Sequence, residues 1–258
     1  MKVLVACPSF NRPYDIMKRT GRWIKNLETD WKIFVEPQQF RYYEQSFSAD
    51  QLVKTGTGIG ISGQLRYIRK YADEHGYDWV FKTDDDMFFK AEKTKAADSH
   101  KVVDRFIADS MQFLKSLEEM GDKAGGFTIA KPKNYRFRTG TWKLRNKTFL
   151  GNYLVRTQFI DLPEGLKLSD DMIIGVNVAM AGYDIYTYHD CYEDSMLWTN
   201  KGGCQSYDRF KMTHDDIAIL KETYPLITFK MTGEMADIDV SPYFSKQMYE
   251  NKNSKIIS

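Results

Sequence analysis

A short apolar run that ends in three consecutive aspartates constrains the fold more than any other feature of this sequence. Residues 77–82 read YDWVFK, and Asp84, Asp85 and Asp86 follow after a single threonine. The apolar middle of the run has the length and composition of a buried strand. The triplet should therefore lie at the end of a strand.

The segments before this strand predict an α/β fold. Residues 3–7 and 31–36 are apolar runs of strand length, and residues 63–75 have helical spacing with Ser62 as a candidate N-cap. Further helices are predicted over 102–120 and 169–181. Strand, helix and strand in this order favour a parallel sheet, where ligands bind beyond the carboxyl ends of the strands. With 258 residues, 42% of them hydrophobic, the chain can bury the core of a single domain.

The aspartate triplet predicts a cation site. Three adjacent carboxylates repel one another, so a strand end that carries them needs a compensating cation or several hydrogen-bond donors. Asp84 and Asp86 are alternate residues that could take different ligands: one could bind Mg²⁺ or Mn²⁺, and the other a ribose hydroxyl or a metal-bound water. A solvated acidic turn is the alternative, but Met87, Phe88 and Phe89 directly after the triplet favour an anchored segment.

Bulk properties exclude some classes of protein and identify no partner. The chain has 37 basic and 35 acidic side chains, a net charge of +2. Cys7, Cys191 and Cys204 have no C-x-x-C spacing, which predicts free thiols and excludes a structural zinc site. The apolar run before Pro8 is too short for a signal peptide or a membrane span, so we expect a cytosolic protein without membrane contact.

Three motifs together resemble the GT-A glycosyltransferase superfamily. They are PSFNRP at 8–13, GQLR at 63–66 and VFKTDDDM at 80–87. The resemblance implies a Rossmann-like mixed sheet flanked by helices, a nucleoside-diphosphate sugar donor, with UDP as the expected nucleotide, and a divalent cation. Carried over by position, it implies donor contacts from Pro8, Ser9, Arg12, Arg66, Asp84 and Asp85, and metal ligation by Asp84 and Asp86.

The second half of the chain resembles the acceptor side of inverting members of this superfamily. LSDDM at 168–172 precedes a predicted helix, and GYDIY at 182–186 follows it. The resemblance makes Asp171 the general base, with Asp170 as its neighbour and modulator. Many relatives have an x-Glu pair where this chain has Ser169 and Asp170. A retaining enzyme would not need this base, and two acids at a helix start with Ser169 as cap would also suit the helix dipole.

The resemblance also implies a histidine metal ligand from the carboxyl-terminal part. His189 at the end of DIYTYH is the first candidate and His214 the second, although a structural histidine would fit either position. The segment 200–209 contains two glycines, and its Lys201 and Arg209 could reach the diphosphate from a closing loop. An ordinary surface loop is the alternative.

A glycine pattern offers a competing interpretation. GIGISG at 58–63 matches the dinucleotide-binding pattern G-x-G-x-x-G, with acids about twenty residues later. The preceding residues 50–55, DQLVKT, are a poor buried strand, and three acids exceed what one ribose needs. A loop near the donor explains the glycines more simply than a nicotinamide or flavin oxidoreductase does.

A basic stretch suggests the acceptor. Residues 123–160 contain nine Lys or Arg and no Asp or Glu. YRFR and WKLR flank TGT as in an inserted basic β-hairpin on the acceptor side. A cationic face suits phosphates, and exposed aromatics such as Phe137 could stack on a base. The predicted acceptor-binding residues are Tyr135, Arg136, Arg138, Trp142, Lys143 and Arg145.

The chain further resembles the glycosyltransferases associated with TET and base-J pathways and their phage relatives. This resemblance implies DNA with a hydroxymethylated pyrimidine as acceptor, and host cytoplasm as the location if the source is a phage. The alternatives are a polysaccharide or glycoprotein transferase, a non-catalytic nucleic-acid-binding module, or a plain solvated hairpin. We expect one domain: about 1–120 for the donor, about 121–248 for the acceptor and a polar tail at 249–258.

Overall fold

The structure is a computed structural model of the chain. It describes residues 1–92, 94–131, 141–145, 147–149, 151–195, 209–232 and 235–245. The predicted tail at 249–258 lies outside these ranges.

A single mixed sheet organises the described part of the chain. Its order is β3-β2-β1-β4-β8-β6-β9-β5, with β7 paired to β9 beside β5. The strands are β1 (Val3–Ser9), β2 (Trp31–Val35), β3 (Leu52–Lys54), β4 (Trp79–Lys82), β5 (Met87–Ala91), β6 (Ala124–Ala130), β7 (Trp142–Arg145), β8 (Tyr153–Arg156) and β9 (Asp184–Ser195). The predicted α/β class with a mixed sheet is confirmed.

The strand directions bring the carboxyl ends of several strands together along one side of the sheet. β1 to β4 are parallel to one another, β8 is antiparallel to β4, and β6 is antiparallel to β8. β4, β6 and β9 therefore share one direction. The chain moves outward from β1 through β2 to β3 and then returns to the other side of β1 as β4. The carboxyl ends of β1 and β4 thus form a topological switch point, where open α/β sheets bind ligands.

Helices cover both faces of the sheet. They are α1 (Thr20–Trp23), α2 (Phe40–Tyr43), α3 (Gly60–Glu74), α4 (Ser99–Glu119), α5 (Asp170–Met180) and α6 (Arg209–Thr223). Alternate residues of β1 point to opposite faces, so Val5 packs with α1 and α4 in one core, and Leu4 packs with α3 and α5 in the other. The buried helix α5 thereby brings the second half of the chain against the first.

Of the predicted basic hairpin, only the second arm, β7, lies within the described residues. β7 pairs antiparallel with β9 and so joins the edge of the main sheet. The first predicted arm, with Tyr135, Arg136, Phe137 and Arg138, lies outside the described residues. A separate two-stranded sheet, β10 (Thr228–Thr232) with β11 (Met235–Asp239), follows α6.

Two expectations from composition can be compared with the structure. Cys7 and Cys191 are buried free thiols, as predicted, whereas Cys204 lies outside the described ranges. In the described part of the chain, no helix has the length and apolar character that a membrane span requires.

The glycine pattern at 58–63 makes room for the loop that leads into α5. Gly60 has φ +67°, and a Cβ there would lie 2.6 Å from the carbonyl oxygen of Lys167. The helix starts at Gly60, and Ser62 does not cap it; its hydroxyl donates to the Leu168 carbonyl at 2.7 Å. From the other side, Asp216 of α6 accepts the N–H groups of Lys167 and Leu168. The glycine pattern follows an edge strand, and Gly60 within it serves packing, which argues against the dinucleotide-binding interpretation.

Replacement of Gly60 by alanine tests this close approach. Gly60→Ala combines a left-handed φ with a clash against backbone, and we expect it to lower the free energy of unfolding by about 2–4 kcal/mol. Gly58→Ala is the matched control, because Gly58 has φ +66° but nothing within 4 Å of the added Cβ. It should cost about 1 kcal/mol, the price of the φ angle alone. Equal losses in urea unfolding would show that the approach to Lys167 is not limiting.

Candidate functional site

The candidate site lies at the carboxyl edge of the sheet. Ser9 ends β1, Lys82 ends β4 and Lys131 directly follows β6. Asn152 precedes β8, which runs in the opposite direction, so its side chain also reaches this edge. The triplet directly follows β4, which lies next to β1, so it is at the carboxyl ends of the strands.

Asp85, the middle aspartate, points into the protein. It is 4% exposed, and its carboxylate accepts hydrogen bonds from Ser9 Oγ at 2.6 Å and from Arg12 Nη1 at 2.7 Å. Ser9 Oγ also lies 2.7 Å from the hydroxyl of Tyr43. Burial raises the pKa of Asp85 to about 6, although Arg12 and Ser9 act in the opposite direction. Asp85 therefore anchors the turn after β1, and Ser9 and Arg12 are its partners.

Asp84 and Asp86 lie on either side of this anchor. The side chain of Asp84 is 41% exposed and pairs with Lys82 Nζ at 2.7 Å. Asp86 is 16% exposed and lies 3.3 Å from Arg12 Nη1. From the sequence, a bound metal is expected to offset the repulsion between the three carboxylates. In the structure, Arg12 and Lys82 supply part of the compensating positive charge.

Lys82 connects the two halves of the chain. Its ammonium is buried, lies 2.7 Å from Asp84 and 4.0 Å from Asp170, and donates to the carbonyl oxygen of Gly151 at 3.3 Å. Burial alone would lower the pKa of Lys82, but the Coulombic attraction of Asp84 and then of Asp170 outweighs it and raises the pKa. Lys82 is therefore a charged lysine that joins the triplet to the start of α5.

Asp170 and Asp171 lie in the first turn of α5. Asp170 accepts a hydrogen bond from the hydroxyl of Tyr153 at 3.2 Å. Burial raises the pKa of Asp171 to about 6, with a further contribution from Asp170, while Lys82 lowers it. Ser169 precedes the helix with φ +67° and makes no side-chain cap. The predicted Ser169 cap is therefore absent, whereas Asp170 and Asp171 do lie in the first turn, where acids complement the helix dipole.

A second polar network, which sequence reasoning missed, supports Asp84 from behind. Asn152 Oδ1 accepts the N–H of Asp84 at 3.0 Å, and Asn152 Nδ2 donates to Glu193 at 2.6 Å. Glu193 also pairs with Lys131. Asn152 and Glu193 are 1% and 2% exposed. Lys131 is nearer the surface, and burial lowers its pKa. The position of these residues at strand ends was the only available signal.

The described residues fit a metal only in part. Among them, no three His, Cys, Asp or Glu side chains come together as a ligand set. Mg²⁺ bound mainly by substrate phosphates and water needs only one or two carboxylates. Asp84 fits this role by its exposure, whereas Asp86 is engaged with Arg12. His189 is 5% exposed on β9, and His214 is exposed on α6. Neither histidine forms a ligand set with the triplet.

Other predicted donor contacts divide into three groups. Pro8 is buried in β1 next to Ser9. Arg66 lies elsewhere: its Nη1 donates to the carbonyl oxygens of Pro163 and Leu166 at 2.7 and 3.2 Å. The Arg66 guanidinium thus binds the loop before α5. The prediction had assigned it to the nucleotide instead. Lys201 and the side chain of Arg209 are outside the described part.

The described acceptor-side residues differ in exposure. The ring of Trp142 stacks on Phe113 at 4.8 Å and packs against the core, so this face of the ring is not an exposed shelf for a base. Arg145 is half-buried, and its Nε donates to the carbonyl oxygen of Thr148. Lys143 is exposed, as a phosphate contact requires. The core packing of Trp142 follows from the pairing of β7 with β9.

Among the comparisons with known proteins, only the one with solved structures finds similarity, and that similarity is distant. No family model and no curated protein matches the chain. A protein described as a glucose-1-phosphate thymidylyltransferase from Bacillus anthracis has a TM-score of 0.46 at 12% identity, over 90% of this chain and 98% of that one. A protein described as a nucleotide-diphospho-sugar transferase from Desulfovibrio desulfuricans G20 has 0.45 at 9%, over 86% and 98%. A CMP:2-keto-3-deoxy-manno-octonic acid synthetase complexed with CTP has 0.41 at 10%, over 73% and 89%. Similarity at this level assigns neither family nor substrate.

Replacement of Lys82 tests the charge balance of the site. Lys82→Met leaves Asp84 and Asp170 without their buried cation and should lower the free energy of unfolding by about 3 kcal/mol at pH 8. Lys82 lowers the pKa of Asp170 and Asp171, so both values should rise further in the variant. The folded state then holds protons that the unfolded state releases, and its stability falls as pH rises. The loss should therefore be smaller at pH 5 than at pH 8.

The control for this experiment is Lys18→Met. Lys18 pairs with Asp15 on the surface, where its side chain is 73% exposed, so its removal should change stability by less than about 1 kcal/mol. Urea unfolding at both pH values measures both variants. A loss for Lys82→Met that does not depend on pH would mean that the lysine acts through packing and not through charge.

Proposed function

We propose that this chain is a glycosyltransferase that moves a sugar from a nucleoside diphosphate, UDP by expectation, to an acceptor hydroxyl with inversion. The observation that carries the proposal is the pairing of Lys82 with both Asp84 and Asp170. It brings a strand-end acidic motif and a helix-start acidic motif to one place beside the switch point between β1 and β4. These are the two motifs that the sequence resemblance assigns to donor and acceptor.

The charges of the site favour a donor that arrives with a divalent cation. Five aspartates, Asp84, Asp85, Asp86, Asp170 and Asp171, face two interior cations, Arg12 and Lys82. Lys131 is already paired with Glu193. The excess of negative charge would repel a bare diphosphate. Asp84 would hold Mg²⁺ or Mn²⁺, and Asp86 would join it if its carboxylate moved away from Arg12. The bound cation would neutralise the diphosphate as a leaving group.

The chain's own residues supply the remaining parts of the reaction. The Asp171 carboxylate takes the proton of the acceptor hydroxyl as that oxygen bonds to the anomeric carbon. The bond from the anomeric carbon to the diphosphate oxygen breaks at the same time, and the diphosphate leaves with its electron pair. Asp170, fixed by Lys82 and Tyr153, keeps Asp171 in position.

A hydroxymethylated pyrimidine in DNA is the acceptor that we propose. The support is the basic stretch 123–160, of which Lys143 and Lys147 are exposed in the described part. Phosphate contacts from such side chains give sequence-independent affinity that salt weakens. The division into a donor half, about 1–120, and an acceptor half, about 121–248, is part of the same proposal.

Transfer assays test the proposal directly. The protein is incubated with Mn²⁺, labelled nucleotide sugars and DNA that contains either hydroxymethylcytosine or cytosine. We expect label only on hydroxymethylated DNA and none in the presence of EDTA. Equal labelling of both DNAs would rule out the hydroxymethyl acceptor, and no transfer from any nucleotide sugar would rule out the enzyme.

Two isosteric variants separate the roles of the acids. Asp171→Asn should lower kcat by about 10²–10⁴-fold with the donor KM unchanged, because it removes a general base. Asp84→Asn should raise the KM for donor and for Mn²⁺. Asp73→Asn, at an exposed position on α3, is the matched control and should behave like the wild type. A normal kcat for Asp171→Asn would exclude this residue as the base.

The pH dependence provides an independent check on the base. Because the pKa of Asp171 is raised to about 6, transfer should fall as pH drops through 6 and the carboxylate takes up a proton. Asp170 titrates with it, so the inflection belongs to the pair. The residual activity of Asp171→Asn should lack this acid limb in a plot of kcat/KM against pH. An unchanged limb in the variant would assign it to another group.

A further inference from the structure

A cavity next to the candidate site belongs to none of the assigned roles. It has a volume of about 450 Å³, within the range of small-molecule sites. It lies between the start of α5, the segment after β7 and the segment after β11. Its lining residues are Lys147, Thr148, Met172, Ile238, Asp239, Val240, Ser241, Phe244 and Ser245.

The cavity has an apolar floor and a polar rim. Phe244 and Val240 are buried at 6% and 8% exposure, and Met172 is half-buried beside them. Lys147, Asp239 and Ser241 are exposed at the rim. An apolar floor suits the faces of a flat ring, and the rim offers a cation, a carboxylate and hydroxyls to the ring's polar edge.

The cavity adjoins the proposed general base. The N–H of Met172, a lining residue, donates to Asp171 Oδ1 at 2.9 Å. Thr148, another lining residue, packs against Gly175 one turn further along α5, where an added Cβ would lie 2.9 Å from Thr148 Cα. A ring in the cavity would therefore lie close to the carboxylate that takes the acceptor's proton.

We propose that this cavity receives one nucleotide unit of the acceptor, with the pyrimidine on the apolar floor and its phosphate at Lys147. The inference rests on the proposed function and names the part of the chain that would recognise its acceptor. Lys147 belongs to the basic stretch 123–160, so the phosphate backbone of the acceptor has a cationic approach to the cavity. Asp239 provides an acceptor for the amino group of cytosine, a pairing that carboxylates make with this base. A single sugar ring fits the floor but gives Lys147 no anion.

Binding measurements test the cavity without a need for turnover. The full chain is titrated with 5-hydroxymethyl-2′-deoxycytidine 5′-monophosphate, with the matching nucleoside, with glucose and, separately, with UDP and Mn²⁺. Ser241→Trp fills the mouth of the cavity from an exposed position, and Lys147→Glu reverses the charge at its rim. Ser116→Trp, exposed on α4, is the matched control.

We expect the mononucleotide to bind the wild type and Ser116→Trp equally, and at least tenfold more weakly to Ser241→Trp and Lys147→Glu. The affinity for the nucleoside should not change in Lys147→Glu, because the nucleoside has no phosphate for Lys147 to contact. Equal mononucleotide affinity in Ser241→Trp, or competition by glucose without nucleotide binding, would overturn the inference. Absence of UDP binding in the wild type would instead count against the proposed function, so the two failures can be distinguished.

Discussion

The buried ammonium of Lys82 is the interaction on which the rest of the site depends. A lysine out of water favours its neutral form, and only the close carboxylates of Asp84 and Asp170 reverse this preference. One of these acids follows β4 and the other begins α5, so the charge balance can be met only when both halves of the chain are in place. The bond to the carbonyl oxygen of Gly151 adds the turn before β8 to the same centre.

The three aspartates make different contacts because the chain turns between the end of β4 and the start of β5. Asp85 turns inward and fixes the turn after β1 through Ser9 and Arg12. Asp84 turns toward solvent and α5, where a ligand can reach it. Repulsion within the triplet is thus relieved partly by the protein's own cations, Arg12 and Lys82.

The sequence predicted the position of the aspartate triplet at a strand end. It did not predict which side chains contact the triplet and its surroundings. The carboxyl ends of parallel strands meet at one edge, so an acidic motif after β4 had to lie beside Ser9. The compensation by Lys82 was missed, because a lysine at the end of an apolar strand carries no signal of its orientation. Arg66 was assigned to the nucleotide from its helix position, whereas the loop at 163–166 holds its guanidinium. Such contacts join residues about a hundred positions apart, and local pattern does not encode them.

The first turn of α5 places charge chemistry and ring recognition side by side. Residues two apart on a helix are separated by about 200° around its axis, so Asp170 and Met172 face nearly opposite directions. Asp170 faces Lys82 and the sheet edge, while Met172 lines the apolar cavity. Asp171 lies between them in sequence and is close to both surroundings. Under the proposed function, a hydroxyl on a ring in the cavity would meet this carboxylate from one side, and a donor held by the triplet would meet it from the other.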